Sequence, residues 1–168
     1  MLNIIDELSV FFEDCYREFS VREYSREIKI SPPTASKILK EFAKDGLLLS
    51  REERGFLLFK VNRESLIVRD LSRIYWAEKL EKLFLYIEEV FYPTAIVLFG
   101  SLSKLEVTKN SDVDVAILGG LKKDADLVKF EKKLGREIQL FNFESLDKIN
   151  KELRFNIINA YVVRGHML

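Results

Sequence analysis

The run Asp112-Val113-Asp114-Val115-Ala116-Ile117 constrains this chain more than any other stretch. Its alternation has the period of a β-strand, which sends successive side chains to opposite faces. Val113, Val115 and Ile117 then line one face, while Asp112 and Asp114 sit together on the other. Two neighbouring carboxylates repel each other unless a cation lies between them. Ahead of this strand, Ala95-Ile96-Val97-Leu98-Phe99 reads as a buried strand that ends at Gly100-Ser101. Behind it, residues 124–134 are helical by pattern, and Gly135 stops that helix. Residues 137–143 read as a third strand, a helix follows to about Asn159, and Tyr161-Val162-Val163 form a short last strand. The C-terminal half is therefore expected to be α/β with a small mixed sheet of about four strands.

The N-terminal half has a different rhythm. Ile4, Ile5, Leu8, Phe11, Phe12 and Cys15 recur at helical spacing, which predicts a helix over 3–18. Ser20, with Glu23 three residues on, is a capping box for a second helix, VREYSREI. Ser31-Pro32-Pro33 opens a third: serine caps, and proline fits a first turn where no N–H is needed. That helix runs to about Asp45 and ends at Gly46. Residues 47–50 and 56–61 are strand-like, joined by the polar turn 51–55, and so predict a hairpin. From Glu64 to Tyr92 there is neither Gly nor Pro, and the pattern is helical with a change of register near Tyr75-Trp76-Ala77.

The chain has 168 residues, 48% of them hydrophobic and 32% charged, with no formal net charge. Such a composition excludes intrinsic disorder. No apolar run approaches the ~18 residues that a membrane span requires. The first residues carry Asp6, Glu7, Glu13 and Asp14 with no early cation, so they do not read as a secretory signal. A cytoplasmic location is expected. Cys15 is the only cysteine, so no intrachain disulfide or cysteine metal cluster is available. His166 is the only histidine, which argues against a serine–histidine triad or a histidine-rich metal site. Charge is uneven: residues 20–63 hold ten Lys or Arg against six Asp or Glu.

Three helices followed by a hairpin resemble the winged helix-turn-helix domain, the match running over VREYSREIKISPPTASKILKEFAKDGLLLSREERGFLLFKV. The resemblance implies that the helix beginning at Ser31 enters the major groove of double-stranded DNA and that the hairpin is the wing. The side chains it offers to DNA are Thr34, Ser36, Lys37 and Lys40, with Arg51 and Arg54 on the wing for phosphates. Ile38, Leu39 and Phe42 are expected to face the core. Glu52 and Glu53 would repel phosphate, so a protein-contact role for this module stays open.

Leu98-Phe99-Gly100-Ser101, ten residues, then Asp112-Val113-Asp114, with Ser111 before the first acid, Gly135-Arg136 before the third strand and the ending ELRFNIINAYVVRG, resemble the minimal nucleotidyltransferases of the DNA polymerase β superfamily over residues 77–165. Carboxylates at i and i+2 suit Mg²⁺, which prefers carboxylate and phosphate oxygens, and Gly100 allows close backbone approach to a phosphate. The resemblance implies an NTP as substrate or ligand, Mg²⁺ or Mn²⁺ on Asp112 and Asp114, and Gly100, Ser101 and Ser111 at the nucleotide. It also implies transfer of a nucleoside monophosphate to an acceptor, a protein among the candidates.

Three departures stand out. The family's third carboxylate position is occupied by Gln139; Leu102 stands in place of a basic residue, and Leu105 in place of a glycine. Glu137 lies on the same strand face but one pleat repeat away, about 6–7 Å, and is the remaining candidate for a third catalytic acid. Two readings therefore stand. One is a DNA-tethered nucleotidyltransferase; the other is a transcriptional regulator or interaction protein with an inactive transferase domain. The expected architecture is a winged helix over 1–64 (mainly α, three helices plus a β-hairpin wing), a helical linker over 65–76, and an α/β nucleotidyltransferase-like domain over 77–168. The apolar faces of residues 4–15 and of the 66–91 stretch raise the expectation of a homodimer.

Overall fold

Each cap read from the sequence starts a helix. In the computed structural model, which describes residues 3–167, Ser20 accepts from the Glu23 amide while Glu23 reaches back to the Ser20 amide at 2.9 Å. This starts α2 (Val21–Glu27). Ser31 accepts from the Thr34 amide and starts α3 (Pro32–Lys44). Before them come α1 (Asn3–Glu13) and a two-residue strand, β1 (Phe19–Ser20). After them come β2 (Leu48–Glu53) and β3 (Phe56–Val61). The three strands form a sheet in the order β1-β3-β2, with both pairings antiparallel.

The helix expected over 3–18 stops at Glu13, because Phe19 and Ser20 are needed as a strand against Phe59 and Leu58. The hairpin is longer than expected. The polar residues Arg51, Glu52 and Glu53 are paired strand, opposite Leu58, Leu57 and Phe56. Only Arg54 and Gly55 form the turn, with φ of 50° and 79°. A two-residue turn with both φ positive matches the twist of the flanking strands and so lets pairing run to its edge.

Ile5, Leu8, Phe11, Phe12 and Cys15 are all buried, together with Phe19, Tyr24, Leu39 and Phe59. Phe11 meets the Phe19 ring edge-on at 5.0 Å and the Tyr24 ring at 5.7 Å. Most of the apolar face of α1 is thus packed inside its own unit, with Ile4 and Val10 half-buried at its edges.

The long Gly- and Pro-free stretch forms α4 (Leu66–Lys79) and α5 (Glu81–Phe91). The break falls at Leu80 rather than near Tyr75-Trp76-Ala77. Leu80 adopts φ −95°, ψ 4°, and its carbonyl still accepts from the Leu83 and Phe84 amides. α5 ends at Tyr92 in the left-handed conformation, just before Pro93.

The remaining elements are β4 (Ala95–Phe99), α6 (Gly100–Lys104), β5 (Val113–Leu118), α7 (Val128–Leu134), β6 (Ile138–Phe143), a 3-10 turn (Leu146–Lys148), α8 (Lys151–Ile158) and β7 (Tyr161–Gly165). The four strands form one sheet, ordered β6-β5-β4-β7. β5 and β6 are parallel, and the other two pairings are antiparallel, so the sheet is mixed. On one face Ala95, Val97, Phe99, Ala116 and Leu118 pack with Ile149 and Ile157. The short helix α6 was not expected. Five residues are too few to show a helical period.

Among the described residues the chain is mixed α/β with eight α-helices and two sheets. It forms two compact units: Met1–Tyr75 with Leu105–Lys109, and Trp76–Lys104 with Asn110–Leu168. The boundary falls inside α4. The five residues Leu105–Lys109, between the two halves of the Gly-Ser/Asp-x-Asp motif, belong to the first unit.

Candidate functional site

The second unit brings the motif residues together by strand register. Phe99 pairs with Asp114 across β4 and β5, and Asp114 pairs with Gln139 across β5 and β6. Directly paired residues point to the same face of a sheet. Asp112, two residues before Asp114, shares that face by the same alternation. The face therefore carries Asp112 and Asp114, with Gln139 beside them.

Gln139 is engaged with the first acid. Its Nε2 donates to Asp112 Oδ2 at 2.8 Å. An amide nitrogen there offers donors, whereas a carboxylate would offer only acceptors. Glu137 is exposed. Its carbonyl accepts from the Val113 amide at 2.8 Å, which fixes the start of the β5–β6 pairing. No three His, Cys, Asp or Glu side chains among the described residues are placed to hold a metal ion together.

Asp114 is half-buried. Burial pushes its carboxyl above the ordinary aspartate value, and the charge of Asp112 pushes it the same way. Such a pair is poised for a cation, which would relieve both effects.

Gly100 lies directly over Asp114. It has φ of 68°, and a Cβ placed on it would stand 2.1 Å from Asp114 Oδ2. Only glycine allows the chain to turn from β4 into α6 so close to that carboxylate. Ser101 follows as a half-buried residue of α6, and the Ser103 hydroxyl donates to the Gly100 carbonyl at 3.0 Å.

Ser111 is held from behind. Arg136 is only 9% exposed, and its Nη1 donates to the Ser111 carbonyl at 2.7 Å. Its guanidinium also lies 5.3 Å from the centre of the Trp76 ring. Sequence reasoning used Arg136 only as part of a motif and missed that it anchors the residue before Asp112. The signal was present, since a cation next to a helix-ending glycine and ahead of a strand has few ways to be buried without a partner.

The first unit presents the residues expected to meet DNA. Thr34, Lys37 and Lys40 are exposed on α3, and Ser36 is half-buried. Ala35, Leu39 and Phe42 are buried on its other side, while Ile38 is half-buried. The Thr34 hydroxyl shares a hydrogen bond with Ser31 Oγ at 2.8 Å.

Arg51 is committed elsewhere. Its Nε donates to Glu18 Oε1 at 2.8 Å, its Nη2 to Glu18 Oε2 at 2.5 Å, and it pairs with Glu53 at 2.7 Å. The Arg51 guanidinium holds the Glu18 carboxyl below the usual range. Arg54 is exposed at the hairpin turn.

No helix among the described residues is long and apolar enough to cross a membrane. No curated protein and no solved structure matches the chain. Residues 81–163 match the family model described as polymerase beta, nucleotidyltransferase, and this is the family that the second unit is similar to.

Proposed function

We propose that the protein binds double-stranded DNA through its first unit, as a winged helix, and an NTP with Mg²⁺ or Mn²⁺ through its second, where nucleotidyl transfer to an acceptor is slow. The observation that carries this reading is the Gln139 amide on Asp112. Asp112 and Asp114 fit one divalent cation, because Mg²⁺ is commonly held by one or two carboxylates with the remaining positions filled by phosphates and water. When bound, the ion would neutralise the two acids and the phosphates they face. A second ion would need a further carboxylate, and Gln139 is no substitute for one.

The roles of this chain's own groups follow. Asp112 and Asp114 would hold the ion, with the triphosphate supplying further oxygens. Gly100 and Ser101 border it, with room for phosphate oxygens because Gly100 has no side chain. Ser111, fixed by Arg136, sets the start of β5 and thereby the position of Asp112. Glu137, exposed two residues before Gln139, is the group on this strand assigned to take a proton from an acceptor.

For the first unit, the support is the exposed row Thr34, Lys37 and Lys40 on a capped helix whose opposite side is core. The transcriptional-regulator reading rests on the same Gln139 contact, which favours ligand binding over turnover.

The test is equilibrium binding of a labelled NTP with and without Mg²⁺, run beside an assay for labelled product. Metal-dependent binding that Asp112→Asn abolishes, with little product, supports the proposal. Gln139→Asp is then expected to raise product formation, by up to the ~10²–10⁴-fold typical of a placed general base. Full activity in the wild type that Glu137→Gln removes would identify Glu137 as the working third acid and refute the slow-transfer reading. No NTP binding in any background would leave only the regulator reading.

A further inference from the structure

Within the second unit, the end of α4 and the first turn of α5 face the second half of α7 across a cleft of about 380 Å³. Its size and its mainly apolar walls are those of a small-molecule site. Leu80 and Leu83 are buried at its floor, and the half-buried Phe130 and Leu134 close it from α7. The Phe130 ring lies 5.3 Å from the Tyr86 ring, which holds α7 against α5.

The cleft is separate from the carboxylate site. Arg164 Nη2 donates to both carboxylate oxygens of Glu81 on α5, at 2.6 and 2.5 Å, and Arg164 pairs with Ile96. Ile96 and Phe99 are three residues apart on β4, so they point to opposite faces of the sheet, and Phe99 is the residue paired with Asp114. α5 therefore packs on the face away from Asp112 and Asp114.

Charge around the cleft is unbalanced. Glu81 is neutralised by Arg164, and Glu131 on α7 accepts from the Ile138 amide at 3.0 Å. Glu78 and Lys79 cancel in number at the rim. That leaves Lys82 on α5 and Lys133 on α7, both exposed and without an acidic partner among the described residues. Two ammonium groups on long stems beside an apolar floor suit a ligand that is apolar at one end and anionic at the other. An inorganic anion would gain nothing from the floor, and a neutral apolar ligand nothing from the lysines.

We propose that this cleft binds a small amphiphile with one carboxylate on an apolar body. The carboxylate lies between Lys82 and Lys133, and the body lies against Leu80, Leu83, Phe130 and Leu134. The site does not depend on the reading of either unit as a DNA or nucleotide site.

The test is calorimetric titration of the full chain with decanoate below its micellar concentration, and with decyltrimethylammonium, a cation of similar apolar body. Decanoate is expected to bind, one per chain, and the cation is not. Octanoate is expected to bind about 15-fold more weakly, because two methylenes are lost from the floor. Lys82→Glu combined with Lys133→Glu, both at exposed positions, is expected to weaken decanoate binding by about 10-fold or more and to admit the cation. Asp112→Asn is expected to bind decanoate as the wild type does, even if it loses NTP. Absence of decanoate binding by the wild type, equal binding of the cation, equal affinity for octanoate, undiminished decanoate binding in the Lys82/Lys133 variant, or its loss in folded Asp112→Asn would each overturn the proposal.

Discussion

At the scale of single residues, the site is defined by what Asp114 has around it. The closeness of Gly100 makes Gly100→Ala a damaging small change at this site. A methyl group there meets Asp114 Oδ2 at 2.1 Å and forces an unfavourable positive φ on alanine. We expect this substitution to abolish NTP binding, as measured by calorimetry, and to lower the melting temperature. Undiminished binding would show that the turn relaxes without moving Asp114.

Asp114 also has a pH signature. Its carboxyl is raised by burial and by Asp112. Between the ordinary aspartate value and the raised one, the native chain keeps a proton that the unfolded chain has lost. Stability contributed by this group therefore falls as pH rises through that window. With metal chelated, Asp114→Asn is expected to be more stable than wild type at neutral pH. The difference should shrink to nothing as the pH drops below the ordinary aspartate value. Urea unfolding across that range measures it, and a constant difference would contradict the assignment.

At the scale of elements, local chemistry sets where helices start and where the hairpin turns. Ser31→Ala removes the hydroxyl that accepts from the Thr34 amide, and a lost cap of this kind costs about 1 kcal/mol. Chemical denaturation is the measurement, and a cost near zero would mean that water replaces the cap. The hairpin separates two arginines that the sequence presents as equals. Arg51 is forked onto Glu18 and paired with Glu53, whereas Arg54 stands at the two-residue turn. If the first unit binds DNA, Arg54→Ala is expected to reduce the salt slope of binding by about 1, as the loss of one phosphate contact does. Arg51→Ala should leave the slope nearly unchanged. The reverse result would show that Glu18 releases Arg51 when DNA arrives.

At the scale of the whole molecule, the chain consists of two compact units, each with its own buried residues and its own candidate site. Lesions in one site are expected to leave the other intact. Lys37→Glu with Lys40→Glu should abolish salt-dependent binding to duplex DNA while NTP binding persists. Asp112→Asn should do the opposite. Fluorescence anisotropy with labelled DNA and with labelled NTP reads both on the same samples. Loss of both ligands in either variant would show that the sites are coupled.

Much of this architecture is legible in the sequence, because the signals are local. The caps at Ser20 and Ser31 needed only residues three positions apart. The alternation from Asp112 to Ile117 placed two acids on one strand face. The apolar run 95–99 announced a strand buried throughout. The tertiary structure decided everything that depends on a distant partner. Glu18 captures Arg51 from 33 residues away, and Arg136 reaches back 25 residues to the Ser111 carbonyl. β1 is a strand only because Phe59 and Leu58 lie alongside it, and the face of α1 is closed by side chains that its own sequence does not contain. The parallel register of β5 and β6 brings the Gln139 amide onto Asp112. Periodicity and capping are properties of a few consecutive residues, whereas pairing, burial and charge neutralisation belong to residues that meet only when the chain folds.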